Sequence, residues 1–273
     1  METAPNADQR HYWDKDTGGI WADEADAVEA AFGVFNPAIL AAAGLRPGFH
    51  VLDIGCGNGA LTRAAASAVG PDGAVTGIDV SDPMLTVARG APPTPEAAPI
   101  IYLKADAQTH AFQPQAANAV VSRMGVMFFD EPVAAFANLR AAAAPNARFA
   151  AITWRRIPDA TWFGIGVAAV TEVLGPPERP DPFAPGPMAF AETDRVTGIL
   201  TEAGWQSASG APVPFKLRPG GGMDGTIDMM LRFSPAGRAV RDRPDEPALR
   251  DAMIDALRRQ LKPFSSANGV EIP

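Results

Sequence analysis

Three glycines at alternate positions, Gly55, Gly57 and Gly59, follow a short apolar run that contains one acid, Asp53. The apolar run is typical of a β-strand, and the alanine-rich residues 60–69 are typical of a helix. Glycine has no Cβ, so a turn of glycines can be tight and a ligand can lie against its backbone. The first N–H groups of a helix have no partner within the helix and can bind a polar or anionic group. The pattern therefore predicts a cofactor-binding turn between a strand and a helix.

Two classes of cofactor fit the spacing of this turn. Gly55, Gly57 and Ala60 satisfy the G-x-G-x-x-A form of the dinucleotide fingerprint, so an NAD-dependent oxidoreductase remains an alternative. Asp53 argues against it, because a carboxylate at that position crowds a diphosphate but suits a cationic ligand or an amino group. With Gly59, the turn has the pattern D-x-G-x-G-x-G, which resembles motif I of the class I S-adenosylmethionine-dependent methyltransferases. That cofactor carries a sulfonium, an ammonium and a carboxylate, and no phosphate.

The next apolar segment, residues 74–79, ends in an acid and extends the resemblance. Asp79 lies about 20 residues beyond the turn, where an acid that binds ribose hydroxyls is expected. A carboxylate can accept hydrogen bonds from both hydroxyls. The resemblance implies that Val80 and Met84 enclose the adenine.

Two later strand ends follow the family in the same order. Residues 100–108 predict a third strand, and the resemblance implies that Asp106 and Ala107 bind the adenine amino group. A fourth predicted strand ends at Ser122 and Arg123, and the resemblance implies that these two residues lie beneath the methionine part of the cofactor.

The acceptor side of the site is less well defined by the sequence. Transfer of a methyl group from a sulfonium removes charge in the transition state, so a dry, apolar site favours it. Met127 and Phe128 follow the fourth strand and are assigned to the substrate pocket, although core packing also explains them. Trp154 and Arg155 follow the fifth strand and are assigned to the same pocket, and Arg155 is suited to bind a carboxylate or phosphate.

The N-terminal segment contains aromatic residues in an otherwise polar stretch. Tyr12 and Trp13 either pack into the core or belong to a lid that closes over the cofactor, and both interpretations remain open. His11 lies beside them and is the best candidate for a general base among the histidines. The reaction does not require a base if the acceptor arrives unprotonated.

The order of predicted elements indicates an α/β fold with a Rossmann-like, doubly wound, mostly parallel sheet flanked by helices. A helical cap is expected to follow the fifth strand, and a sixth strand is predicted over residues 205–218. The seventh strand that the family normally has is not found in the sequence. The predicted organisation is a helical lid segment at 1–47, a cofactor-binding core at 48–154, a cap at 155–190, and further core with additional helices at 191–273.

Composition narrows the choice of partner. The net charge of −8 and the pI of about 4.9 argue against a nucleic-acid substrate, so a small-molecule methyl acceptor is expected. We expect a cytoplasmic protein that is not bound to a membrane, because the first ten residues lack the apolar core of a secretory signal and no apolar run reaches about 18 residues. The single cysteine, Cys56, predicts neither an internal disulfide nor a metal cluster. The acceptor atom (oxygen, nitrogen or carbon), the oligomeric state and a role as a cofactor-binding module without turnover remain open.

Overall fold

The computed structural model describes residues 5–92, 94–156, 161–176 and 181–273. The chain divides into two compact units. The first contains the residues up to Ala25, Gly33–Trp154 and Phe183–Ala211, and the second contains Asp26–Phe32, Arg155–Pro182 and Pro212–Pro273. The glycine turn, Asp53, Asp79 and Asp106 all belong to the first unit.

The first unit is built on five parallel strands in the order β3-β2-β1-β4-β5. In chain order these are β1 (His50–Ile54), β2 (Ala74–Asp79), β3 (Ile100–Lys104), β4 (Ala117–Arg123) and β5 (Ala143–Ile152). β4 is buried along most of its length, which explains its nearly continuous apolar sequence. The strand order reverses between β1 and β4, and ligands bind at the carboxyl edge of such sheets beside that reversal. The predicted Rossmann-like sheet is therefore confirmed.

The two units together contain the following helices among the described residues. In chain order they are α1 (Ala7–His11), α2 (Gly18–Asp23), α3 (Ala25–Phe32), α4 (Asn36–Ala43), α5 (Ala60–Val69), α6 (Asp82–Gly90), α7 (Pro132–Ala142), α8 (Thr161–Leu174), α9 (Thr193–Glu202), α10 (Gly222–Phe233), α11 (Pro235–Arg241) and α12 (Pro247–Leu261). A π-helical turn spans Tyr12–Asp16, and 3-10 turns span Gly33–Phe35, Val126–Phe128 and Lys262–Phe264.

The crossover helices bring successive strand ends to one edge of the sheet. α5 joins β1 to β2, α6 joins β2 to β3, and α7 joins β4 to β5. On α5, Leu61, Ala65 and Val69 recur every four residues and are all buried, so this face of the helix packs on the core. Because all five strands are parallel, the residues that follow β1, β2, β3 and β4 lie along the same edge.

The second unit is mainly helical. Gly166 of α8 allows close packing, because a Cβ there would lie 2.9 Å from Cδ of Pro235 at the start of α11. Two short antiparallel strands, β6 (Ser265–Ser266) and β7 (Gly269–Val270), follow α12.

The predicted sixth strand is wrong. Within residues 205–218 only Leu217 pairs with another segment, in an isolated antiparallel bridge to Ile272. Pro212 and Pro214 have no N–H to donate to a strand ladder, which explains why the apolar run around them stays irregular.

Two other sequence predictions have more limited outcomes. The helix predicted after the fifth strand is confirmed as α8, whereas 157–160 and 177–180 of the predicted cap lie outside the described residues. The helical stretch Ala25–Ala43 is long and apolar enough to cross a membrane by length and composition alone, and 33% of it is buried. Buried core helices meet the same criterion, so the absence of a membrane remains a prediction.

Candidate cofactor site

The amides of the glycine turn are occupied within the protein. Gly55 and Cys56 both donate to the carbonyl of Ile78, at N···O distances of 2.8 and 3.0 Å. Gly57 donates to Oδ2 of Asp79 at 2.8 Å. A dinucleotide-binding turn must offer such amides to the diphosphate. This turn has already used three of them, which argues against the NAD alternative.

The backbone of the turn explains why its glycines are needed. Gly55, Gly57 and Gly59 have φ angles of 66°, 52° and 76°, a region that favours glycine. A Cβ on Gly55 would lie 2.6 Å from Cα of Gly125, in the loop after β4. A Cβ on Gly57 would lie 2.7 Å from Cε of Met84. The close approach of two loops therefore requires Gly55, independently of any ligand.

Asp53 lies inside the sheet, two residues before the turn. Its side chain is inaccessible to solvent, and Oδ2 accepts a hydrogen bond from the Thr62 hydroxyl at 2.7 Å. Oδ1 is buried and has no hydrogen-bond partner. Burial raises the pKa of Asp53 to about 7, against the opposing influence of Thr62 and of the nearby Arg123 guanidinium. A carboxyl group in this state can carry its proton at the unpartnered oxygen. Its predicted contact with the cofactor remains a prediction.

Asp79 stands at the carboxyl end of β2, next to the turn. Its two oxygens accept from the amides of Gly57, at 2.8 Å, and Ser81, at 2.9 Å. Burial raises the pKa of Asp79, and these backbone amides oppose the rise. A carboxylate oxygen has more than one acceptor site, so this fixed group can still accept from a pair of ribose hydroxyls.

A cavity of about 460 Å³ opens beside the ends of β2 and β3. Its walls include Val80 and Asp106, together with basic groups from β3 and the N-terminal segment. Asp106 is 8% exposed, and its Oδ2 is buried without a partner. Burial raises the pKa of Asp106, against hydrogen bonds from the Gln108 amide and Asn6. The volume suits a small molecule, and an unpartnered acceptor in the wall suits an amino group of that molecule.

The remaining residues assigned to the adenine lie in the interior. Met84 and Ala107 are 7% and 6% exposed. The carbonyl of Ala107 accepts from the Asn138 side chain at 3.0 Å. Their roles in binding remain predictions.

The N-terminal segment, residues 5–23, is fastened to the carboxyl edge by polar contacts. Asp14 accepts from the Asp82 amide at 2.8 Å and from Nζ of Lys104 at 3.0 Å. Those two groups, with Lys15, lower the pKa of Asp14 to about 2, the Asp82 amide most strongly. Asn58 of the glycine turn donates to the Trp21 carbonyl at 2.8 Å. The segment therefore contacts the loops that follow β1, β2 and β3.

Aromatic rings join this segment to the loop after β4. The Trp13 ring packs edge-to-face on Phe128, with centroids 5.0 Å apart, and also contacts Trp21 and Tyr12. Met127, beside Phe128, is 1% exposed, so its side chain packs in the protein core, and its assignment to a substrate pocket remains a prediction. The contacts are those expected of a segment covering the site, and its action as a lid remains a prediction.

His11 lies in the wall of the cavity. It lines the wall together with Val80 and Asp106, and its Nε2 is 3.7 Å from Oδ1 of Asp16. Its side chain is 70% exposed. Its predicted role as the base that acts on the acceptor remains a prediction.

Ser122 and Arg123 at the end of β4 have local partners. The Ser122 hydroxyl donates to the Ile54 carbonyl at 2.7 Å and accepts from the Gly125 amide at 3.2 Å, and the residue is fully buried. The predicted contact of Ser122 with the cofactor remains a prediction. Arg123 donates to Oδ1 of Asn36 at 3.0 Å.

The two residues assigned to the pocket after β5 differ in their surroundings. Trp154 is 8% exposed and packs edge-to-face on Phe35, with centroids 6.3 Å apart. Arg155 is exposed and belongs to the second unit. Neither assignment to a substrate pocket is tested by these contacts.

Sequence reasoning missed the polar residues of the N-terminal segment and their partners. Asn6 donates through Nδ2 to Asp106 at 3.3 Å, and Asp14 contacts Lys104 as described above. Single polar residues in a polar segment give no sequence signal for contacts that span about a hundred residues. Among the residues that the structure describes, no group of three metal-ligating side chains is found.

Comparisons with known proteins show what the chain is similar to. A family model described as a methyltransferase domain matches residues 51–146. The demethylmenaquinone methyltransferase of Symbiobacterium thermophilum is 54% identical over 44 residues, which are 16% of this chain and 18% of that protein. The nocamycin O-methyltransferase of Saccharothrix syringae is 55% identical over 40 residues, 15% of this chain and 14% of that protein. The matches thus span less than a fifth of these curated relatives.

A solved structure shows that the resemblance in fold extends further. Phosphoethanolamine N-methyltransferase 2 of Haemonchus contortus, in complex with S-adenosyl-L-methionine, superposes with a TM-score of 0.54 at 17% identity. The alignment covers 99% of this chain and 59% of that one. The family match, the sheet order and the acids at the ends of β2 and β3 agree with one another. Residues 51–146 thus match a methyltransferase domain, and the fold is that of a solved methyltransferase bound to S-adenosyl-L-methionine, so the chain resembles the class I S-adenosylmethionine-dependent methyltransferases.

Proposed function

We propose that the protein transfers the methyl group of S-adenosyl-L-methionine to a small-molecule acceptor by direct displacement, releasing S-adenosyl-L-homocysteine. The observation that carries this proposal is the pairing of the Gly57 amide with Asp79 beside the cavity that Asp106 lines. A turn closed in this way disfavours a diphosphate, whereas the two acids suit the hydroxyl and amino donors of an adenosyl group.

The residues of the site act mainly by holding and orienting. Asp79 is fixed by two amides and offers its remaining acceptor sites to the ribose. Asp106 offers an unpartnered oxygen to the adenine. Met127 and Phe128 supply apolar surface next to β4, and exclusion of water there favours a transition state in which charge is lost. When bound, the cofactor supplies an activated methyl group, and alignment of the acceptor with the methyl–sulfur bond supplies much of the rate.

The class of acceptor is supported by charge and by the relatives. A net charge of −8 disfavours a nucleic-acid partner. The relatives are named for demethylmenaquinone and nocamycin, and the structural neighbour for phosphoethanolamine. These are three different small molecules, so a shared cofactor domain is compatible with more than one acceptor atom.

Two measurements test the proposal. Calorimetric titration should show binding of S-adenosylhomocysteine and no binding of NAD. Release of S-adenosylhomocysteine should then be measured with one acceptor for each acceptor atom: a demethylated quinone for carbon, a phenol for oxygen and phosphoethanolamine for nitrogen. NAD binding without S-adenosylhomocysteine binding would overturn the proposal in favour of the oxidoreductase. Cofactor binding without turnover on any acceptor of a wide panel would favour the binding module.

A further inference from the structure

Asn6 is a buried polar residue at the start of the N-terminal segment. It is 5% exposed and has a φ of 60°, which asparagine tolerates better than most residues. Its backbone amide donates to Oδ2 of Asp130 at 2.5 Å, in the loop before α7. The residue is therefore held at the edge of the sheet by its backbone, which leaves its side chain available for another purpose.

The side chain of Asn6 meets Asp106 and leaves two acceptors unused. Nδ2 of Asn6 donates to Oδ1 of Asp106 at 3.3 Å, and the Gln108 amide donates to the same oxygen at 2.9 Å. Oδ2 of Asp106 and Oδ1 of Asn6 are both buried without a partner. A hydrogen bond joins the two side chains, so the unused acceptors belong to neighbouring groups, and Asp106 lines the cavity.

Two unpartnered buried acceptors are costly unless a ligand supplies the donors. An exocyclic amino group carries two N–H donors on one nitrogen and so matches a pair of acceptors. We propose that Asn6 is a specificity-determining residue whose Oδ1 accepts one N–H of the adenine amino group, while Oδ2 of Asp106 accepts the other. This inference rests on the proposed function, since it takes the ligand of the cavity to be an adenosyl compound.

The arrangement predicts discrimination by the exocyclic group. In S-inosylhomocysteine an oxo group replaces the amino group, so an acceptor faces two acceptors and neither protein oxygen gains a donor. The intact protein should therefore bind S-adenosylhomocysteine about 100-fold more tightly than S-inosylhomocysteine, as expected when buried polar groups are left unpaired.

The test is the change in this ratio on substitution, measured by calorimetry on the full chain. Asn6→Gly removes the side chain without strain, because glycine adopts the left-handed backbone readily. Asp106 keeps its bond to the Gln108 amide in this variant, so it remains in place. The ratio should fall by about 10-fold, the effect of one unpaired group. Circular dichroism verifies that the variant is folded.

Asn58→Ala is the matched control. Asn58 also fastens the N-terminal segment, through Trp21, and it too has an unpartnered buried Oδ1, but it belongs to the glycine turn. Its loss should weaken both ligands alike and leave the ratio unchanged. An unchanged ratio in Asn6→Gly, or an equal fall in Asn58→Ala, would overturn the inference while the proposed function stands. Failure of the unsubstituted protein to bind S-adenosylhomocysteine would overturn both.

Discussion

Replacing Asp53 by asparagine should make the stability of the protein less dependent on pH between pH 5 and pH 8. Burial raises the pKa of this carboxyl from 3.8 to about 7. At pH 5, the carboxyl group of Asp53 is therefore protonated in the folded state and ionised in the unfolded state. The contribution of Asp53 to stability is therefore fully present below about pH 4, falls as the pH rises towards 7, and then levels off.

The size of this change in unfolding free energy follows from the shift in the pKa of Asp53. One pKa unit corresponds to about 1.4 kcal/mol, so the two units between pH 5 and pH 7 amount to about 3 kcal/mol. The amide introduced by Asp53→Asn would keep an oxygen to accept from Thr62 and would carry no charge at any pH. Relative to this variant, the unsubstituted protein should thus lose about 3 kcal/mol of unfolding free energy between pH 5 and pH 8.

Urea unfolding followed by circular dichroism, at half-unit intervals from pH 5 to pH 8, measures this difference. Asp14→Asn is the matched control, because the pKa of Asp14 is lowered to about 2. Asp14 is therefore ionised in both states throughout this range, and its variant should differ from the parent by a constant amount. If the difference between the parent and Asp53→Asn is also constant, Asp53 is charged in the folded protein and the reasoning from burial is refuted.

Three further outcomes are expected. Asp79→Asn should weaken S-adenosylhomocysteine binding by about 1–3 kcal/mol in calorimetry, and an unchanged affinity would contradict the ribose assignment. Gly55→Ala should lower the unfolding free energy more than Gly57→Ala. Both variants incur a cost of about 1–2 kcal/mol for a left-handed backbone. The new Cβ at Gly55 also meets the backbone of the loop after β4, whereas the new Cβ at Gly57 meets only the flexible end of the Met84 side chain. Equal losses in urea unfolding would contradict this. S-adenosylhomocysteine should slow hydrogen exchange in residues 7–23, and exchange unaffected by the ligand would show that this segment does not cover the site.

Local signals in the sequence predict the elements around the candidate cofactor site. The helix expected over 60–69 is α5, and the strand expected over 74–79 is β2, with the same bounds. Both predictions depend on apolar residues and glycines that are neighbours in the sequence. The acid at the end of β2 could be found for the same reason, because the strand that places it is short and apolar.

Contacts made across the chain could not be predicted in this way. Asn6 and Asp106 are 100 residues apart, and Asp14 and Lys104 are 90 residues apart. Each pair depends on the N-terminal segment reaching the carboxyl edge, which no spacing in the sequence encodes. The prediction of a strand over 205–218 is wrong for a related reason. An apolar run forms a strand only if a neighbouring strand can pair with it, and the prolines in this run lack the N–H groups that pairing needs.

The spacing of the glycines alone is compatible with both NAD and S-adenosylmethionine, because it does not encode the hydrogen bond from Gly57 to Asp79. Both classes need a tight turn after the first strand and an acid about 20 residues later. They differ in where the turn directs its amides, which depends on the fold in three dimensions. Here the Gly57 amide donates to Asp79 itself, so the acid that is predicted to bind the ribose also closes the turn to a phosphate. The choice of cofactor therefore depends on the contact between the two motifs, in addition to the residues within each.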